Sequence, residues 1–82
     1  MAVKIFANTI ALPDWREEIN AAVRAAMNNY HGNWQATILE IQGTGGLDIH
    51  ITGPEGETWS KTFDGLEYEP SYIKRTIEQA KI

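Results

Sequence analysis

The sequence predicts an α+β domain: a two-layer β-α-β-β-β-α arrangement with a mainly antiparallel sheet and two helices packed on one face. Three observations lead there. Trp15, Ile19, Ala22, Val23, Ala26, Met27 and Tyr30 recur at i, i+4, i+7 and i+8, the spacing of a core-facing helical stripe. Three strand-like runs follow, separated by glycine-rich turns, and a short second helix closes the chain. The 82 residues make a single globular domain over positions 1–82. A chain this short buries roughly 60–70% of its unfolded surface, enough for one modest core.

Residues 3–7 alternate Val3, Ile5 and Ala7 against Lys4, Phe6 and Asn8, which predicts a short first strand. The first helix starts near position 13. Asp14 can cap it with Glu17 as a capping-box partner, or Pro13 can occupy its first position, where the missing N–H costs nothing. The apolar stripe carries it to about His31, with Arg16, Glu17, Asn20, Arg24 and Asn28 on the opposite face and Gly32 placed to end it. Trp34–Gln42 is rich in strand formers. Leu47, Ile49 and Ile51 then alternate cleanly with Asp48, His50 and Thr52, giving one buried face and one wet one. Gly53-Pro54-Glu55-Gly56 is turn chemistry. In the strand from Glu57 to Phe63, Trp59, Lys61 and Phe63 share a face, and Asp64-Gly65 breaks it. Pro70 opens the last helix, lined by Ile73, Ile77 and Ala80 with Tyr72 alongside. Glu67 and Glu69 sit near its positive end and Lys74, Arg75 and Lys81 towards its negative end, a favourable dipole placement. The expected core is Trp15, Ile19, Val23, Met27, Ile49, Ile51, Ile73 and Ile77.

Sequential strands joined by short turns pair antiparallel, and a sheet with one apolar face needs cover on that face only. From Asp14 onward the α-β-β-β-α order is similar to that of double-stranded-RNA-binding domains, a likeness of element order. It implies recognition of duplex shape through phosphates and 2′-hydroxyls. The second helix offers Lys74, Arg75 and Lys81 for that purpose, diluted by Glu67, Glu69 and Glu78.

Composition narrows the function. Eleven acidic residues against seven basic ones give a formal charge of −4. Affinity for phosphates comes from surplus Lys and Arg, so the balance argues against nucleic-acid or anionic-membrane binding. No cysteine is present, which removes disulfides and thiolate metal sites. No run approaches the ~20 apolar residues of a membrane helix, and the N-terminus lacks the pattern of a secretory signal. These features predict a cytoplasmic protein.

No stretch carries a catalytic, metal or cofactor signature, and the expectation is a non-enzyme without cofactors. His31 and His50 lack a partner constellation. Ser60 and Ser71 lie outside any nucleophile elbow. Gly43-Thr44-Gly45-Gly46 leads into a strand, whereas a phosphate loop needs a lysine and a helix directly after the glycines. Glu40 and Asp48 read as a solvated carboxylate pair on neighbouring strands. What is left is an acidic and aromatic stretch, Glu55 to Tyr72, in which Asp64, Glu67, Tyr68 and Glu69 are the candidate partner-binding residues. Clustered carboxylates steer basic partners, and tyrosine is enriched in interfaces. The expectation is therefore a small acidic protein-binding module for a partner with a basic surface. Its specific form is an inhibitor that blocks a nucleic-acid-binding surface, as phage anti-CRISPR proteins do. The alternatives are a nucleic-acid-binding domain and a small enzyme or enzyme subunit. A free edge at the first or last strand also offers a second copy a place to form a homodimer.

Overall fold

A computed structural model describes residues 3–43, 45–64 and 69–80. The elements are β1 (Val3–Asn8), α1 (Pro13–Ala26), β2 (Trp34–Glu40), β3 (Leu47–Thr52), β4 (Thr58–Phe63) and α2 (Pro70–Gln79). The strands form one sheet in the order β1-β2-β3-β4. β2-β3 and β3-β4 pair antiparallel, as short turns require. β1 pairs with β2 in parallel, so the sheet is mixed rather than mainly antiparallel. The reason is the connection. α1 carries the chain back along the sheet before β2 begins, and such a strand–helix–strand crossover returns the second strand in the direction of the first.

The core joins one face of the sheet to both helices. Ile38, Leu47, Ile49, Ile51 and Phe63 from the strands meet Ile19, Val23, Met27, Ile73 and Ile77, all fully buried. No polar or charged residue is buried among the described ones. Of the expected core, Trp15 alone is only half-buried. It stands in the first turn of α1, at the rim of the layer, and packs against the core from its edge. The other sheet face carries Gln35, Thr37, Asp48, His50, Thr52, Thr58, Ser60 and Thr62 and has no cover among the described residues.

α1 ends at Ala26, short of His31, although the apolar pattern continues through Met27 and Tyr30. Met27 leaves the helix with φ −102° and ψ 15° and still fills the core from the following turn. Gly32, at φ +93°, closes the loop against Pro54. Trp34 then locks it: its indole N–H donates to the His31 carbonyl at 2.7 Å, and its ring stands edge-on to Tyr30 at 4.9 Å. At the other end of α1, Pro13 takes the first helical position, and no side chain caps the helix. Of the two predicted starts, the proline is the one realised.

β1 does not keep its alternation. A bulge between Ile5 and Ala7 leaves Phe6 without a register partner and pairs Asn8 with Ile38. Asn8 therefore turns under α1. Its amide donates to the Asn20 side chain at 2.8 Å and the Arg16 carbonyl at 3.4 Å, and its Oδ1 accepts from the Ile10 N–H at 3.0 Å. Three bonds on one side chain fix the entry of the chain into α1.

Candidate functional site

The topology decides which loops share an end of the molecule. β2 and β4 run the same way, and β1 runs with them. Asn8, Glu40, Leu47 and Phe63 therefore mark one end of the sheet. Both helices begin there. Ala11 N–H donates to Glu40 Oε1 at 3.1 Å and Arg16 Nη1 donates to the Ile10 carbonyl at 3.3 Å, which holds the start of α1 against the end of β2. The ring of Tyr72, in the first turns of α2, stands edge-on to Phe63 at 6.1 Å.

This end gathers carboxylates from four segments: Asp14, Glu17 and Glu18 on α1, Glu40 closing β2, Asp64 after β4, and Glu69 before α2. All but the half-exposed Glu40 are exposed. The N-terminal turns of two helices place positive dipole ends here, so Asp14 in the first turn of α1 and Glu69 at the N-cap of α2 are favourably seated. Leu12, 66% exposed, lies among them, beside Trp15.

Of the candidate partner-binding residues, Asp64 and Glu69 fall at this end; Glu67 and Tyr68 lie outside the described residues. Glu69 is the N-cap residue of α2 without a side-chain capping bond. The sequence reads Asp14 and Glu17 as a helix-capping pair, Glu17 also as part of the polar helix face, and Glu40 as one of a solvated carboxylate pair with Asp48. Nothing local marks them as neighbours of Glu69, because only the parallel β1–β2 pairing and the shared helix origin bring them together.

The other candidates disperse. His31 is exposed on the α1–β2 loop and His50 on the open sheet face, at the opposite end and on the other layer respectively. Ser60 faces solvent beside His50, and Ser71 lies exposed in the first turn of α2. Glu40 and Asp48 are on neighbouring strands but opposite faces: Asp48 pairs with Leu39 on the open face and accepts the Thr62 hydroxyl, while Glu40 turns to the α1 loop. Among the described residues no group of three His, Cys, Asp or Glu is placed to hold a metal ion, and no helix is long and apolar enough to cross a membrane. Phe63 is core and Trp59 half-buried, with the Lys61 ammonium 5.5 Å above the Phe63 ring. Among the described aromatics of the Glu55–Tyr72 stretch, Phe63 and Trp59 thus serve the core, while Tyr72 is exposed.

Comparison with protein-family models, with curated proteins and with solved structures finds no match for this chain.

Proposed function

We propose that this chain is a non-enzymatic protein-binding module that presents its carboxylate-rich end to a partner with a basic surface. One observation carries the reading: a single end of the fold collects Asp14, Glu17, Glu18, Glu40, Asp64 and Glu69 from four separate segments. A patch of one sign raises the association rate of an oppositely charged partner and fixes its orientation. Exposed Leu12 supplies an apolar contact inside the charged rim, the usual division of labour in an interface. In its specific form the module is an inhibitor that occupies a nucleic-acid-binding groove, as phage anti-CRISPR proteins do. The described cations favour this over the duplex-binding alternative. Lys4, Arg16, Arg24, Lys61, Lys74 and Arg75 are spread over β1, both helices and β4, Lys74 pairs with Glu78 at 3.0 Å, and Lys61 covers Phe63.

The test compares the wild-type chain with the triple variant Glu17→Lys, Glu18→Lys, Glu69→Lys, each immobilised and exposed to native-host extract. A proteinaceous partner should be retained by wild type and lost from the variant. Its association rate with wild type should fall steeply with salt, and duplex DNA or RNA should compete for it. Equal retention on both supports, or direct binding of duplex RNA or DNA by the wild-type chain at two salt concentrations, would overturn the reading.

A further inference from the structure

The two edges of the sheet are built differently. On β4, Lys61 sits on the core side of the sheet, half-buried over Phe63. An inward-pointing charge of this kind blocks the approach of another strand. On β1 the core-side residues of the first half are Val3 and Ile5, both apolar, and nothing on the strand plays the part of Lys61. The backbone edge there is open as far as Phe6, where the bulge stops any regular ladder.

Two cations bracket that half-strand. Lys4 is exposed on the open face of the sheet. Arg24 is exposed near the end of α1, on the helix layer. Both line a cleft of about 420 Å³ across the starts of β1 and β2, with Val3, Ile5 and Trp34 among its other walls. A second cleft of about 850 Å³, between β1 and the loop after α1, shares Val3 and Arg24 with it. In a chain of net charge −4, these two cations stand together at the start of β1.

We infer that the β1 edge between Val3 and Ile5 accepts an extended acidic segment of another protein as an added strand. An added strand gains affinity from main-chain hydrogen bonds and specificity from alternate side chains. Successive side chains of a strand point to opposite faces. Lys4 and Arg24 lie on opposite faces of β1, so the segment that satisfies both carries two acidic residues in succession, one towards each layer. Acids two residues apart would both meet the same layer. Phe6, 67% exposed at the bulge, offers an apolar contact to a residue flanking the acidic pair. This surface lies at the end opposite the carboxylate-rich one, and the inference does not depend on the proposed function.

The probe is a fluorescein-labelled peptide, acetyl-Thr-Val-Asp-Glu-Val-Thr-amide, titrated by anisotropy at low salt, with amide chemical shifts followed by NMR. The expected result is saturable binding with shifts centred on Val3, Lys4 and Ile5. Moving the acids two residues apart should weaken binding, as should N-methylation of a central peptide amide. Reversal of either cation, Lys4→Glu or Arg24→Glu, should weaken it by about fivefold, the upper range for an exposed ion pair. Both residues are exposed, so these variants should melt with wild type. The double variant should recover binding to the matching peptide with Lys-Lys in place of Asp-Glu. Absence of saturable binding at millimolar peptide, indifference to N-methylation, or tighter binding of duplex RNA or DNA through Lys4 and Arg24 would overturn the inference.

Discussion

Ile49→Ala tests the assignment of faces most directly. Ile49 lies on β3, an interior strand, fully buried between Ile38 of β2 and Lys61 of β4 in register. The substitution removes three carbons. At about 0.8 kcal/mol per buried CH2 the transfer loss is about 2.4 kcal/mol. The cavity left in an interior strand that cannot collapse adds to this, so the total falls at about 3–4 kcal/mol, within the observed range for such truncations. A domain of this length has a total stability of about 4–12 kcal/mol, so about a quarter or more is lost. The melting temperature should fall by about 15–25 °C, and the urea midpoint should drop with an unchanged slope. Ile49→Val should cost only about 0.5–1.5 kcal/mol. His50→Ala, one residue on and exposed on the open face, should stay within about 0.5 kcal/mol of wild type. If Ile49→Ala melted within a few degrees of wild type, or His50→Ala proved the more damaging, the helices would not cover the face described.

Gly53→Ala should destabilise by about 1–3 kcal/mol, read from the urea midpoint, because its Cβ would stand 2.7 Å from the Trp34 ring and 2.6 Å from Glu57 Oε1. Asn8→Ala removes three hydrogen bonds under α1 and should cost about 1–2 kcal/mol, with Asn8→Asp, which loses the donor but keeps the acceptor for Ile10, less damaging in the same melt. Lys74→Ala breaks the ion pair with Glu78, but both side chains are 44% exposed, so the melting temperature should move by no more than about 0.5 kcal/mol implies.

Periodic elements were legible because their period is their physics. The α1 stripe and the Leu47–Ile51 alternation declare which residues are inside, and the structure buries all of them but Trp15 and Tyr30, at the two ends of the stripe. The end of α1 was not legible, because Met27 and Tyr30 serve the core from a turn and still match the helical spacing. The fate of Asn8 was equally hidden. A single-residue bulge inverts the face of everything after it, and nothing in Ile5-Phe6-Ala7 announces one. Trp15 satisfied the stripe yet sits at its rim, since apolar spacing gives direction around the helix axis but not depth along it. The direction of β1 follows from the helix that separates it from β2. Charge could be counted but not located: Glu18 and Glu69, over fifty positions apart, come to the same end of the fold only through topology.

The parallel β1–β2 pair orders the assembly of the chain in time. The β2-β3-β4 meander closes through two short turns, so its loops cost little entropy. Val3 meets Trp34 only after the whole of α1 has been traversed, which makes β1 the strand whose docking carries the largest closure cost. Nascent chain that has emerged as far as α1 has no sheet on which β1 can settle, and the strand must wait for Trp34–Glu40 and for the meander that steadies it. Pulsed hydrogen exchange during refolding should then show amides of Leu47–Thr52 protected ahead of those of Val3–Asn8; simultaneous protection would mean that the sheet forms in one step.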